Sequence, residues 1–348
     1  MLASVAYTEW LDTKTPRLES SGVEPGPLHE SLFPFQRAIT EWAIRLGRAA
    51  IFSDCGTGKA RMSLEWARHF AGRVLIVAPL GVANQTIEEG EAIGVSVRRV
   101  LEPDDAQGIS ITNYERLHKF IGIEYDAIVL DESSILKSLD GKTRGMLLEH
   151  FVTIPRRLCC TATPAPNDVT ELANHAEFLG VMPRVEMLAT YFVHDSGGAG
   201  AKSHWRLKGH AAQAMYEWMA EWAVYVRKPS DIGFDDAAFE LPPLTVKDEV
   251  VSTDWCPDGH LIATSIGGVG SRAQVRRYTM EARIDRAVEL INQDPGQWLV
   301  WCGLNDEGRG GADWRSALDP SVYWWKGNKT RRESSRLKKT GEQGACER

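Results

Sequence analysis

The sequence lacks several features that would have named a function class at once. It has no C-x-x-C pair among its six cysteines, and Cys159 and Cys160 are merely adjacent within an apolar stretch. That excludes the usual spacing of a zinc site and leaves reduced thiols as the expectation. No run approaches the roughly 18 apolar residues of a membrane span. The start, MLASVAYTEWLDTK, has no basic stretch leading into an apolar one, so no signal peptide is expected and a cytoplasmic location follows as the default. Positive charge is not in surplus either: 40 Lys and Arg face 47 Asp and Glu, a net charge of −7. A nucleic-acid partner would therefore have to be met by a local basic surface. No internal repeat is visible.

What is present is an alternation. AAIF (49–52), RVLIVA (73–78), ISITN (109–113), DAIVLD (126–131) and RLCCTA (157–162) read as buried strands. Between them FQRAITEWAIRLG, KARMSLEWARHFA and VANQTIEEGEAIG carry helical spacing. Such alternation predicts an α/β fold, a parallel sheet with helices on both faces. Flanking this block, residues 1–30 read as an irregular lead-in rich in Pro, Gly and Ser. DSGGAGAKSH (195–204) reads as a flexible loop, HAAQAMYEWMAEWAVYVRK (210–228) as one amphipathic helix, and 270–293 as a long helix leading into a buried strand, QWLVWCGLND (297–306). From about 320 the chain is polar and basic and reads as a tail.

IFSDCGTGKARM (51–62) sets strand, glycine turn and helix in the order a phosphate-binding loop requires. Backbone N–H groups at a helix N-terminus converge on anionic oxygens, and glycines allow the turn and the close approach. Lys59 is placed to reach the β- and γ-phosphates. The usual loop begins with glycine and follows its lysine with Ser or Thr, whose hydroxyl holds Mg2+. Here Ser53 and Ala60 occupy those positions, and Thr57 lies three residues too early to stand in for the second. Downstream by 72 residues, Asp131 and Glu132 end an apolar strand in YDAIVLDESS. Carboxylates at that edge of an open α/β sheet suit a metal ion and an attacking water. A solvated strand end is the plain alternative.

These stretches, with FPFQ (33–36), IVAPLGVANQT (76–86), SITNYERL (110–117), TATPAPND (161–168), VRKPSDIG (226–233), ELPPL (240–244) and LVWCGLNDEG (299–308), stand in an order that resembles the DEAD/DEAH-like superfamily 2 helicases and translocases. Within them the resemblance is to the Swi/Snf-related DNA translocases and their phage or prophage relatives, over roughly residues 30–310. It implies a RecA-like P-loop NTPase lobe, a helical and extended connector, and an incomplete second RecA-like lobe. The boundaries expected are 31–180 for the first lobe, 181–269 for the connector, 270–319 for the start of the second lobe and 320–348 for the tail.

The resemblance also implies ATP and Mg2+ as cofactors and DNA as partner, bound through its backbone with little sequence preference. Lys59, Asp131 and Glu132 take the catalytic positions, with the metal on Asp131. Gln36, as adenine reader, and Cys55, Gly56, Thr57, Gly58, Lys59 and Ala60 contact the nucleotide. Thr161, Ala162 and Thr163 couple nucleotide state to DNA. Pro79, Leu80, Asn113, Tyr114, Arg227 and Lys228 are the candidates for nucleic-acid contact. Trp218 and Trp222 interleave with basic residues as base-stacking aromatics do, but their spacing, with Tyr216, Met219, Ala220 and Ala223, reads rather as a packed helix face.

Two departures stand out. Ala60 removes a metal ligand. Nothing after Glu307 matches the family's closing Gln/Gly/Arg-rich motif, whose arginines reach the γ-phosphate, so a truncated second lobe is expected. An ATP-dependent motor is the leading reading. A catalytically weak nucleotide- and DNA-binding module and the motor subunit of a restriction system are the alternatives, and no nuclease motif accompanies the last.

Overall fold

The computed structural model describes residues 19–137, 141–195, 204–252, 275–294, 298 and 300. The chain forms two compact units, Met1–Pro242 and Pro243–Arg348.

The first unit is built on a seven-stranded, wholly parallel sheet of order β3-β4-β2-β5-β6-β1-β9. Its strands are β1 (Arg48–Ser53), β2 (Val74–Ala78), β3 (Val97–Arg99), β4 (Ile109–Asn113), β5 (Ala127–Asp131), β6 (Arg156–Thr161) and β9 (Ala223–Val226). The five runs read as buried strands are five of these. The helices α1 (Pro34–Leu46), α2 (Lys59–Arg68) and α3 (Ala83–Ala92) fall where helical spacing put them. Next come α4 (Lys142–His150), α5 (Leu172–Leu179), α6 (Arg184–Tyr191) and α7 (Ala212–Ala220). A separate antiparallel pair joins β7 (Phe192–Asp195) to β8 (His204–Leu207). This is the α/β core with a parallel sheet that the alternation predicted, and it is RecA-like as the resemblance implied.

The central strands β1, β2 and β5 are mostly apolar because both faces are covered. Side chains alternate between faces with period two. Phe52, Leu75, Val77, Ile128 and Leu130 enter one core, with Phe178, Trp218 and Trp222. Ile51, Val74, Ile76, Ala127 and Val129 enter the other, with Phe35, Met62 and Trp66 from α1 and α2. Trp66 also donates from its ring N–H to the Ala43 carbonyl at 3.1 Å, tying α2 to α1. Cys55, Cys159 and Cys160, the cysteines among the described residues, are free. The lead-in from 19 to 29 has no regular element. It is pinned to the end of α1 by Ser21 N–H to Leu46 O and Val23 N–H to Ile44 O, both 3.1 Å.

The segment 210–228 corrects the sequence reading. Its helix stops at Ala220, and Ala223–Val226 extends as the seventh strand, paired with β1 from Ala50↔Ala223 to Ser53↔Val226. Alanine-rich periodicity predicts helix, but the β-branched and aromatic residues of AVYV suit a strand at the open side of β1. The sheet expected to close by residue 180 thus draws a strand from the segment assigned to the connector. Trp218 and Trp222 are buried, with ring centroids 5.4 Å apart, which makes them packing residues. The buried face is Met215, Trp218 and Met219, while Tyr216 and Ala220 face outward. The short β3 and the β7–β8 pair were not read from the sequence.

In the second unit α8 (Met280–Gln293) occupies the latter part of the predicted long helix, with Arg286 paired to Glu249 at 3.0 Å and Glu289 at 2.6 Å. Most of the glycine-rich loop, all but two residues of the strand predicted at 297–306, and the whole basic tail lie outside the described residues. Among the described residues no helix is long and apolar enough to cross a membrane.

Because Trp222 fills the core beneath β9, its replacement by alanine is expected to lower unfolding stability by about 3–5 kcal/mol, the cost of emptying an aromatic site. Denaturant unfolding of Trp222→Ala measures this; a loss under about 1 kcal/mol would show that β9 is not part of the cooperative sheet.

Candidate functional site

The strand order decides which residues meet. β5, β6 and β1 are neighbours, and their C-terminal ends carry Asp131, Thr161 and Ser53, with Phe52 opposite Thr161 and Asp131 opposite Cys160. Ligands of open α/β sheets bind at this edge.

From Ser53 the chain turns through Asp54–Gly58 into α2. Gly56 and Gly58 have φ of +81° and +85°, the left-handed region that a side chain disfavours. At Gly58 space adds a second reason, because a Cβ would lie 2.3 Å from the Gln36 amide nitrogen. The N-terminus of α2 has no side-chain cap, so its first-turn N–H groups remain available to an anion. Lys59 Nζ lies back across the loop, donating to the Ser53 and Asp54 carbonyls at 2.7 and 2.9 Å. Thr57 is buried. Its hydroxyl accepts from Ser53 Oγ at 2.6 Å and donates to Asp54 O at 2.7 Å. The nearest other hydroxyl on α2, Ser63, donates to Ala60 O at 2.9 Å. Neither hydroxyl fills the gap that Ala60 leaves.

Asp131 is partly buried, and its carboxyl is pushed up to about 6. Burial is the main cause, the neighbouring Glu132 adds to it, and the Lys59 ammonium opposes it. A carboxylate raised in this way gains from a cation beside it. Glu132 has φ of +55°, the positive-φ non-glycine among the described residues. That conformation costs a residue with a side chain about 1–2 kcal/mol and persists only where its surroundings enforce it. Here Thr161 Oγ1 donates to Glu132 Oε2 at 3.3 Å and accepts from Thr163 N–H at 3.1 Å. Thr161 is buried, Ala162 partly so, and Thr163 exposed. Tyr114 donates its hydroxyl to the Asp131 carbonyl at 2.7 Å.

The structure thus brings Lys59, Asp131, Glu132 and Thr161 together with Cys55, Gly56, Thr57, Gly58 and Ala60. Gln36 is close but turned to another task. It is buried, its Oε1 accepts from Phe33 N–H at 3.0 Å, and its amide donates to Thr57 O at 2.8 Å. It brackets the start of α1 to the loop at 54–58.

The candidates for nucleic-acid contact divide. Pro79 and Leu80 follow β2, and Leu80 is 58% exposed. Asn113 ends the neighbouring β4 and Tyr114 follows it, but both are buried. Tyr114 donates to the Asp131 carbonyl and so supports the site from inside, whereas Asn113 donates to the exposed Glu115. Arg227 and Lys228 are exposed, but they follow β9 at the sheet edge opposite to β3 and β4, four strand positions from β2 and about 19 Å away at the usual spacing. Lys228 pairs with Asp236 at 3.0 Å. They do not form one surface with Leu80.

Sequence reasoning passed over Ser133, Asn174 and His175, all buried behind the acidic pair. The available signal was an Asn-His pair among the apolar residues Leu172, Ala173, Ala176, Phe178 and Leu179 of one helix.

No protein-family model and no curated protein sequence matches the chain. Among solved structures it is similar to the SWI2/SNF2 ATPase core of Sulfolobus solfataricus in complex with dsDNA, with a TM-score of 0.50 and 18% identity over 62% of this chain and 48% of that one. The match therefore spans about half the length of that structure. The UvsW helicase of bacteriophage T4 aligns with a TM-score of 0.36 and 13% identity, over 49% of this chain and 64% of that one. The first similarity agrees with the RecA-like core described above.

Burial holds the His175 imidazole down to about 4, against an ordinary 6.5. The fold keeps it neutral, whereas the unfolded chain takes up a proton below 6.5. Its contribution to stability is complete above pH 6.5 and is lost as pH falls through 4, by up to about 3 kcal/mol. Unfolding measured from pH 7 to pH 4 is expected to show a shallower decline in His175→Gln than in the wild type. Equal slopes would mean that His175 is accessible to protons in the fold.

Proposed function

We propose that the chain is an ATP-dependent DNA translocase or helicase whose nucleotide lies between the loop at 53–59 and the acidic pair at 131–132. The observation that carries this reading is the meeting, at three adjacent strand ends, of an uncapped helix N-terminus, a lysine and two carboxylates.

Each group has a task that its geometry permits. The first-turn N–H groups of α2 and the loop amides bind the phosphates. Lys59 exchanges its contacts with two backbone carbonyls for phosphate oxygens. Asp131, raised by burial and by Glu132, is the carboxylate suited to hold Mg2+, which when bound neutralises charge on the β- and γ-phosphates. Glu132 is held by Thr161 where it can orient a water for attack on the γ-phosphorus and accept its proton. Thr161 links that carboxylate to the exposed Thr163, which supports a coupling role for 161–163. Pro79 and Leu80 are the retained candidates on the DNA path. The similar archaeal ATPase core was solved with dsDNA, which supports DNA as the partner here. The overall negative charge requires that contact to be local. Residues 270–319 are assigned to the start of a second lobe.

Ala60 favours a second reading, a nucleotide-binding module with weak turnover, because no neighbouring hydroxyl replaces the missing ligand.

ATP hydrolysis by the full chain, with Mg2+ and with or without duplex DNA at low salt, separates the two. The motor reading predicts DNA-stimulated turnover that falls at least about 100-fold in Lys59→Ala and in Glu132→Gln, with Glu132→Gln still binding ATP. Ala60→Thr is expected to lower the Mg2+ concentration needed for half-maximal rate. ATP binding without turnover, in the wild type and in Ala60→Thr alike, would establish the second reading. No ATP binding would refute both.

A further inference from the structure

The helix that follows the 161–168 loop bears on the acidic pair from behind. α5 carries Asn174 and His175, 1% and 0% exposed, in an otherwise apolar face. Adjacent helical residues point about 100° apart, so the two reach different places. Both land on the short 3-10 turn Ser133–Lys137 that continues from Glu132. Asn174 Nδ2 donates to the Leu136 carbonyl at 2.8 Å, with the Lys137 carbonyl at 3.5 Å. His175 Nε2 lies 3.1 Å from Ser133 Oγ. Ser133 is fully buried and is also a hydrogen-bond partner of the Cys159 thiol on β6. The His175 ring meets Phe52 edge to face, with centroids 5.1 Å apart, and Phe52 is the residue before Ser53, where the phosphate loop leaves β1.

A carboxylate held at positive φ needs anchors on both sides. On the N-terminal side Tyr114 grips the Asp131 carbonyl. On the C-terminal side the anchors are Ser133 and Leu136, and the side chains that grip them come from α5. A hydrophobic residue of similar volume would fill either place and leave a buried polar partner unsatisfied, so packing alone does not account for this pair.

The structure assigns Asn174 and His175 as positioning residues that clamp the 131–137 segment and so hold Glu132 in its geometry. Neither touches the space where a nucleotide would lie. The clamp also joins three pieces of the fold: the acidic segment, the strand that feeds the loop at 54–58, and the helix after the 161–168 loop. This assignment rests on the function proposed above for its effect on turnover, but not for its effect on the fold.

Two readouts on the full-length chain test it. Amide hydrogen exchange at 131–137 is expected to speed up about tenfold or more in His175→Leu and in Ser133→Ala, with little change in β2 and β4. In the same variants kcat for ATP is expected to fall about tenfold with KM within about twofold, and the double variant should be no worse than either single one. His175→Gln, which can keep a polar group near Ser133 Oγ, should restore both readouts. Should His175→Leu not fold, Ser133→Ala, which removes one oxygen atom, decides the matter alone. Unchanged exchange at 131–137 in a folded variant would overturn the assignment, as would additive losses in the double variant. A wild-type chain that binds no ATP would refute the functional reading, and exchange at 131–137 would still decide whether the clamp exists.

Discussion

The site depends on one constraint, the side-by-side order of β5, β6 and β1. Parallel strands all deliver their C-terminal ends to the same edge, and this order sets the acidic pair, the threonine and the lysine loop next to each other although they are distant in sequence. Period-two alternation fixes the register. β1, β2, β5 and β6 split their side chains between two apolar cores, and a one-residue slip would exchange the cores and move their strand-end groups. The strain at Glu132 can be held only because the frame around it is rigid. Tyr114, Thr161 and the α5 side chains reach the acidic segment from three elements, and the cost of a left-handed glutamate is carried by the packing of the sheet.

The local electrostatics follow from the same packing. Burial and the adjacent Glu132 raise Asp131, and Lys59 is the cation that opposes them. The lysine rests on backbone carbonyls, so its charge is satisfied but not locked into an ion pair. A phosphate can displace two carbonyls more readily than it could displace a carboxylate. Ala60 marks where the arrangement is weakest. The hydroxyls of Thr57 and Ser63 are engaged in holding the loop and the helix, so the proposed cation site rests on Asp131.

Much of the fold was legible because buried parallel strands write themselves as unbroken apolar runs, and α1 to α3 as amphipathic spacing. The turn at 54–58 was legible because glycine is demanded there by φ, and at Gly58 by space as well. The seventh strand was not, because WMAEWAVYVRK satisfies a helical period and only the open side of β1 makes a strand of its last part. Gln36, Asn113 and Tyr114 were found as polar residues near motifs, but their inward hydrogen bonds depend on chain contacts that spacing does not reveal. His175 and Asn174 were hidden for the opposite reason. They lie on an apolar helix, and their partners are 42 and 38 residues away in sequence.

The central claim is that the loop at Lys59 and the carboxylate of Asp131 form one site for a metal-bound nucleotide. Calorimetric titration of ATP into the wild-type chain and into Asp131→Asn, each with and without Mg2+, tests it most directly. The account predicts that both chains bind ATP, that Mg2+ tightens binding to the wild type about tenfold or more, and that Asp131→Asn loses most of that gain. Equal Mg2+ dependence in the two chains would place the metal elsewhere and contradict it.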